Sequence, residues 1–222
     1  MKKRVALIHT SFVLFDREPL LFDLFDEILP EVERLNIVDD QMLAEVMEKA
    51  YIEPQITRRM SHYALAAQAS GVDAIFNTCS SLGTAFDVAK ELVSIPCVKI
   101  DDGMAELAAK QGKKIAVLAT VPTTLPPTAA LIQEKADQLG TRIELQRFLC
   151  EGAFGLSMKG EKERHDDMVT EKALESAKWA DTLVLAQCSM ARLVPRLSRE
   201  THRPVLSSPR LGVEGLKAIL EQ

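Results

Sequence analysis

The chain has 222 residues, with 27 Lys and Arg against 32 Asp and Glu, so its formal net charge is −5. Hydrophobic residues make up 47%, which is ordinary for a globular protein and sufficient for the cores of one large domain or two small ones. The acidic balance argues against nucleic acid as a partner, and no apolar run approaches the ~20 residues of a membrane span. The N-terminus predicts a strand and not a signal peptide, because charged residues follow at once without a small-residue cleavage site, so we expect a cytoplasmic protein.

Short apolar runs alternate with helical patterns along the whole chain. The runs are rich in Val, Ile and Leu without clean alternation, which is typical of strands buried on both faces of a parallel sheet. The predicted strands are residues 5–9, 72–77, 93–100, 115–119, 143–148, 182–186 and 204–207. The helical patterns between them end at glycines such as Gly71 and Gly140. This order predicts an α/β fold with right-handed crossovers.

A weak internal repeat divides the chain in two. Residues 5–8 are echoed by residues 115–118, Cys79 is echoed by Cys188, and residues 95–98 are echoed by residues 203–206. The offsets are nearly equal and the order is the same, so we expect two pseudo-symmetric, Rossmann-like parallel-sheet domains with the active site in a cleft between them. The predicted boundaries are 1–98 plus 208–222 for the first domain and 99–207 for the second, with the last helix packing back onto the first.

Four cysteines occur in the chain, without a Cys-x-x-Cys pair and without a histidine at zinc-ligand spacing. We therefore expect neither a metal site nor, in a reducing compartment, a disulfide. Cys97 and Cys150 lie in apolar segments, so they are interpreted as buried, inert thiols.

Cys79 and Cys188 stand apart because each follows a predicted strand and precedes a serine and a helix start. Ligands of open α/β sheets bind beyond the carboxyl ends of the strands, so both thiols lie where a site is expected. Unpaired backbone N–H groups at a helix start lower the pKa of a thiol, so we expect both cysteines to have a lowered pKa.

Two thiols facing each other across a cleft suit proton transfer at a carbon beside a carboxylate. One group removes the α-proton from one face while the other supplies a proton to the opposite face. The carbanion is stabilised where N–H and hydroxyl donors hold the carboxylate oxygens. The candidate donors are Ser80, Ser81, Ser189, Thr120 and Thr123.

With these motifs, the sequence resembles the aspartate/glutamate/hydantoin racemase superfamily. Thr78-Cys79-Ser80-Ser81 is similar to its first catalytic cysteine motif and Gln187-Cys188-Ser189-Met190 to its second, while residues 117–123 resemble its A-T-x-x-T segment. The resemblance implies two α/β domains, catalytic Cys79 and Cys188, a small carboxylate substrate and no cofactor. Base rates also favour a homodimer.

Several positions depart from the amino-acid racemase pattern. Cys79 is followed by Ser-Ser where those enzymes have Asn-Thr, and His9-Thr10-Ser11 stands where glutamate racemases have Asp-Ser-Gly. Ser-Ser is closer to maleate isomerases and arylmalonate decarboxylases, so the substrate stays open. Asn77, Gln187 and the loop residue Asp16 are the candidate partners of an amino group.

Two further stretches have alternative interpretations. His9 ends the first strand, where it either contacts substrate, tunes Cys79 or makes structural hydrogen bonds. Residues 12–25 are strongly apolar, so they either cover the site, contact another subunit or pack into the core.

The sequence predicts an isomerase: a cofactor-independent racemase or epimerase of a small carboxylic acid, such as an amino acid or hydantoin. Cys79 and Cys188 are its acid–base pair, and the candidate substrate contacts are His9, Thr10, Ser11, Asn77, Ser80, Ser81, Thr120, Thr123, Gln187 and Ser189. The alternatives are a maleate-type cis–trans isomerase, an arylmalonate-type decarboxylase, and a small-molecule binding or sensor module with unreactive thiols.

Overall fold

A computed structural model describes residues 2–12 and 20–222 of the chain. The described residues form two four-stranded parallel sheets with flanking helices, so the predicted α/β fold with two parallel sheets is confirmed. The chain divides into two compact units, which are Met1–Asp102 with Pro209–Gln222 (unit 1) and Gly103–Ser208 (unit 2).

The sheet of unit 1 has the strand order β2-β1-β3-β4. Its strands are β1 (Arg4–His9), β2 (Glu33–Val38), β3 (Ala74–Asn77) and β4 (Cys97–Lys99). The helices between them are α1 (Leu20–Ile28), α2 (Met42–Lys49), α3 (Pro54–Ala69) and α4 (Gly83–Lys90). Pro54 starts α3, where its missing N–H group leaves no hydrogen bond unmade.

The sheet of unit 2 has the corresponding order β6-β5-β7-β8. Its strands are β5 (Lys114–Ala119), β6 (Glu144–Leu149), β7 (Thr182–Leu185) and β8 (Val205–Ser207). Its helices are α5 (Asp102–Gln111), α6 (Leu125–Leu139), α7 (Ala153–Met158), α8 (Lys162–Ser176) and α9 (Val194–Thr201). The last helix, α10 (Ser208–Leu220), leads the chain back to unit 1.

Each sheet is covered by its own apolar core. In unit 1, Ile8, Met60, Ile75 and Phe86 belong to one buried cluster, and Phe25 of α1 packs edge-on against Phe76 with ring centroids 5.8 Å apart. In unit 2, the corresponding cluster joins the sheet to residues of α8 and α9. Both sheets are therefore buried structures, as their apolar runs predicted.

The sequence prediction missed one strand and overextended another. β2 has the sequence ERLNIV with half-exposed side chains, so it lacks the apolar run of a central strand. It forms because β1 pairs with it from Arg4↔Glu33 to His9↔Val38. The predicted strand 93–100 is reduced to Cys97–Lys99, because the residues before Pro96 form turns.

Part of the apolar stretch 12–25 lies outside the described residues, including Asp16. The rest divides between a 55% exposed Phe12 and the buried residues Leu21, Leu24 and Phe25 of α1. The described part of α1 therefore packs in the core. Among the described residues, no helix is long and apolar enough to cross a bilayer.

Candidate active site

The carboxyl ends of the unit 1 strands bring four polar residues to one edge of the sheet, which we call the unit 1 edge. Asp39 follows β2, Thr10 follows β1, Cys79 lies two residues beyond β3, and Asp101 lies two residues beyond β4. β3 and β4 are paired with Asn77 opposite Lys99, and the N–H of Ile100 donates to the Asn77 carbonyl at 2.9 Å. This register places Cys79 and Asp101 on neighbouring strand ends.

Asn77 fixes the backbone of Cys79. Its side chain accepts from the Cys79 N–H at 3.2 Å and donates to the Cys79 carbonyl at 3.1 Å. Asn77 is fully buried, so these two bonds occupy an amide that the sequence offered as a substrate contact. Cys79 is held in an extended conformation and leads into a short 3₁₀ helix, Ser80–Leu82.

The thiol of Cys79 receives three hydrogen bonds, from the Thr10 hydroxyl and from the backbone N–H groups of Ser81 and Leu82. These donors lower its pKa, as the strand-end position predicted. Burial outweighs them, and the charge of Asp101 adds to its effect, so the pKa of Cys79 is raised. The predicted lowering of the Cys79 pKa is therefore wrong, because desolvation opposes the thiolate more than the donors favour it.

Asp101 is an ionisable residue of the unit 1 edge that is not among the candidates named from the sequence. It is 2% exposed, and the Ser80 hydroxyl donates to its carboxylate. Its Oδ1 atom is buried without a hydrogen-bond partner. Burial raises its pKa to about 6. The neighbouring Asp102 accepts from the Lys99 N–H at 2.8 Å through its Oδ2.

His9 is buried in a side-chain network of unit 1. Its Nε2 lies 3.1 Å from Asn36 Oδ1, and its Nδ1 lies 3.1 Å from Thr78 Oγ1. Burial lowers its pKa to about 4, so the ring is neutral at physiological pH. Of the three roles considered for His9, the geometry supports the structural one, with the side chains of Asn36 and Thr78 as partners.

The loop of Cys188 in unit 2 is held by other hydrogen bonds than the loop of Cys79. The Gln187 side chain accepts from the Thr120 N–H at 2.5 Å, from the Thr120 hydroxyl at 3.1 Å and from the Val121 N–H at 3.0 Å. Gln187 therefore joins the loop before Cys188 to the end of β5. This amide, like that of Asn77, is used within its own unit.

The other candidates of unit 2 lie in two short 3₁₀ helices. Cys188 and Ser189 begin the helix Cys188–Leu193, and Thr123 lies in the helix Pro122–Thr124. All three side chains are half-buried, whereas Thr120 is 5% exposed. Ser11 of unit 1 is half-buried as well. The structure thus brings Thr10, Asn77, Ser80 and Ser81 to the loop of Cys79, and Thr120 and Gln187 to the loop of Cys188.

Arg192 lies four residues after Cys188 in the same 3₁₀ helix. Its guanidinium binds both oxygens of Asp166, at 2.5 and 2.7 Å. His165 joins them, with Nδ1 2.8 Å from Asp166 Oδ1, and it is only 4% exposed. Residues of α8 therefore form a polar cluster with the helix that carries Cys188.

Of the two remaining cysteines, Cys150 is buried as predicted, whereas Cys97 is only half-buried. Burial raises the pKa of both Cys97 and Cys150 to about 11. No disulfide links cysteines of the described chain. Within residues 2–12 and 20–222, no group of three or more His, Cys, Asp or Glu side chains is placed to hold a metal ion.

Comparison with known proteins places this geometry in context. The model of the family described as Asp/Glu/Hydantoin racemase matches residues 22–216. No curated protein matches the chain.

Solved structures share the fold across almost the whole chain. A glutamate racemase of Bacillus anthracis aligns with a TM-score of 0.72 at 17% identity, covering 100% of this chain and 83% of its own. An allantoin racemase of Klebsiella pneumoniae aligns with a TM-score of 0.68 at 18% identity, covering 99% and 88%. An arylmalonate decarboxylase aligns with a TM-score of 0.60 at 13% identity, covering 97% and 92%. At these identities the likeness is one of fold.

Proposed function

Because the chain belongs to the Asp/Glu/hydantoin racemase family, we propose that it racemises or epimerises a small carboxylic acid without a cofactor. Cys79 and Cys188 are the proposed acid and base at the α-carbon. The single observation that carries this proposal is the setting of the Cys79 sulfur, which sits at a strand end and receives hydrogen bonds from Thr10, Ser81 and Leu82. Such donors stabilise the negative charge that forms on sulfur when the proton leaves.

The side-chain hydrogen bonds that hold the loops of both cysteines support the same reaction. Proton transfer to carbon requires the sulfur and the α-carbon to be held close together, so a small displacement of either atom lowers the reaction rate strongly. Asn77 holds the backbone of Cys79 from both sides, and Gln187 holds the loop before Cys188 against the end of β5. In this proposal both amides are positioning residues and not substrate contacts.

The substrate carboxylate needs donors that strengthen as charge moves onto its oxygens. For this role we propose Ser81, Thr123, Ser189 and Ser11. The hydroxyls of Thr120 and Thr10 donate to Gln187 and to the Cys79 sulfur. Ser80 donates to Asp101, so its hydroxyl is already committed.

Arylmalonate-type decarboxylation is the second candidate. It is favoured by the fold likeness to an arylmalonate decarboxylase and needs a single cysteine as proton donor. The raised pKa of Cys79 fits a thiol that rests protonated and donates. The presence of a second cysteine at the corresponding position of unit 2 favours the racemase.

Deuterium incorporation distinguishes these reactions. The purified protein is incubated in D₂O with L- and D-amino acids, hydantoins and substituted malonates, and α-deuteration and chirality are measured. We expect deuteration with inversion for one class of compound, lost in both Cys79→Ala and Cys188→Ala. Release of CO₂ from a malonate that survives loss of Cys188 would instead establish the decarboxylase. Absence of any exchange across the panel would contradict racemisation of these classes and favour the binding module.

A further inference from the structure

The strands beside the two cysteine strands end in different residues. In unit 1, β4 is followed by Ile100 and Asp101, and the register places Asp101 next to Cys79. In unit 2, β7 pairs with β8 up to Leu185↔Ser207, and the next residues are Ser208 and Pro209. Neither of these carries a charge, so the acid at the unit 1 edge has no counterpart at the end of β8.

The position of Asp101 is built into the fold. Gly212 of α10 packs against Ile100, the residue before Asp101. A Cβ atom added to Gly212 would lie 2.3 Å from the Ile100 carbonyl oxygen. Only glycine permits this approach, and it fixes the backbone that carries Asp101. Ser80, the residue after Cys79, donates to the carboxylate. Asp101 is therefore held against the loop of Cys79 from two sides.

The other charged groups around Asp101 leave its charge poorly compensated. The charge of Lys99 lowers the pKa of Asp101, but its ammonium group binds both oxygens of Asp87, at 2.9 and 3.0 Å. The charge of Asp102 opposes this effect and raises the pKa of Asp101. Farther along the edge, Asp39 is paired with Arg59. His9 is neutral in its network. A buried carboxylate oxygen without a partner thus acts on the Cys79 thiol through a poorly screened field.

We infer that Asp101 is a positioning residue that keeps the resting proton on Cys79, so that Cys79 is the acid and Cys188 the base when substrate binds. This assignment rests on the proposed two-cysteine reaction. It deepens that proposal, because the pseudo-symmetry of the two units does not by itself say which sulfur is protonated.

The proton balance of one turnover is complete. The substrate Cα–H bond breaks and its proton passes to the Cys188 thiolate, while the S–H bond of Cys79 breaks and its proton forms a new Cα–H bond on the opposite face. Cys79 is then a thiolate beside the Asp101 carboxylate. Their repulsion favours return to the resting form, in which Cys79 takes up a proton from solvent and Cys188 releases its new proton to solvent, or in which the reverse turnover restores both. The resting enzyme therefore accepts the enantiomer whose α-proton faces Cys188.

Thiol alkylation tests this assignment without substrate. The intact protein is treated with iodoacetamide between pH 6 and pH 10, and the rate at each cysteine is measured by peptide mass spectrometry. In Asp101→Asn, we expect the pH profile of Cys79 to move down by about one unit, which is about a tenfold faster reaction near pH 8. Asp101→Ser, a smaller neutral side chain, should give the same shift if the asparagine variant does not fold.

Asp102→Asn is the matched control, because asparagine keeps an oxygen to accept from the Lys99 N–H and should leave the Cys79 profile unchanged. Cys97 and Cys150 are internal controls in every sample. An unshifted Cys79 profile in folded Asp101 variants would overturn the inference, as would an equal shift in Asp102→Asn.

The two proposals fail separately. If deuterium exchange is absent but the Cys79 profile shifts, the two-cysteine reaction and the acid and base roles built on it fall, while control of the Cys79 proton by Asp101 stands. If exchange with inversion occurs but the profile does not shift, the racemase stands without the role of Asp101.

Discussion

The two sheet edges that carry Cys79 and Cys188 are alike in backbone and unlike in chemistry. The residue after β2 donates its N–H to the last residue of β1, and the residue after β6 does the same to the last residue of β5, at 2.9 and 2.8 Å. The first pair is Asp39 and His9, whereas the second is Cys150 and Ala119. At these two positions unit 1 has a carboxylate and an imidazole, whereas unit 2 has a thiol and a methyl group.

The hydrogen bonds that hold the two cysteine loops also differ between the units. Asn77 binds the backbone of the cysteine itself, whereas Gln187 binds the neighbouring strand end. The two units therefore place the cysteine at the same position after its strand but surround it with different residues. In the reaction that we propose, this difference distinguishes the two sulfurs, since one must begin protonated and the other ionised.

The largest effect is expected from removing the two amides that hold the cysteine loops. Asn77→Ala removes the acceptor of the Cys79 N–H and leaves the Cys79 carbonyl with the Leu82 N–H as its donor. We therefore expect a loss of about 1–3 kcal/mol of stability and up to about 100-fold in exchange rate. Gln187→Ala should reduce the rate similarly. Urea unfolding and α-deuteration measure both effects. Gln133→Ala, which removes an exposed helix contact, is the control. An exchange rate in this variant as low as in Asn77→Ala and Gln187→Ala would contradict the positioning role of the two amides.

Acid titration of stability tests the ionisable groups at the unit 1 edge. His9 has a folded pKa of about 4 against an ordinary value of 6.5, so its neutral form stabilises the fold above pH 6.5. That contribution is lost as the pH falls toward 4, by about 3 kcal/mol. Asp101 acts in the opposite direction, because its raised pKa of about 6 favours the fold at low pH. His9→Gln should therefore become more stable relative to the wild type between pH 6.5 and pH 4.

Urea unfolding at several pH values measures this difference. His62→Gln, at an exposed helix position, is the control and should follow the wild type. A His9→Gln curve parallel to the wild-type curve would show that His9 is not buried as a neutral ring.

The close approach of α10 to β4 can be tested with two glycines of the same helix. Gly212→Ala places a methyl group against the Ile100 carbonyl, so we expect a loss of about 1–3 kcal/mol and a changed Cys79 alkylation profile. Gly215→Ala meets nothing within 4 Å and should stabilise the helix by up to about 1 kcal/mol. Thermal unfolding compares the two, and equal stabilities would refute the packing.

The smallest effect is expected at Ser80. Ser80→Ala removes the hydroxyl that donates to Asp101 and leaves the carboxylate in place. The exchange rate should fall only a few-fold, because the charge beside Cys79 persists. A loss as large as that in Asn77→Ala would mean that Ser80 contacts substrate directly.

The sequence predicted the features that depend on local pattern. Apolar runs gave the central strands, and the repeat placed Cys79 and Cys188 at strand ends in both units. β2 was missed because its half-exposed residues carry no run, and only pairing with β1 makes it a strand.

Side-chain partners were not predictable in the same way. Spacing indicates that Asn77 and Gln187 lie near the cysteines, but not that their amides bind backbone instead of substrate. Asp101 lies at a predicted strand end, which is the one signal that could have identified it. Its burial and the closeness of Ser80 depend on tertiary packing. Desolvation of the Cys79 thiol, which reverses the predicted pKa shift, also arises only when the core closes.

The central claim is that the two sulfurs act on opposite faces of one α-carbon. The most direct measurement is α-proton exchange in D₂O of each pure enantiomer by Cys79→Ala and by Cys188→Ala, using the substrate class found in the panel. Two-base chemistry predicts opposite enantiomers: each variant exchanges, without inversion, only the enantiomer whose α-proton faces its remaining cysteine. The exchange is slower in Cys188→Ala, because the remaining Cys79 rests protonated. Exchange of the same enantiomer by both variants, or full activity in one of them, would contradict the assignment of Cys79 and Cys188 as an acid–base pair.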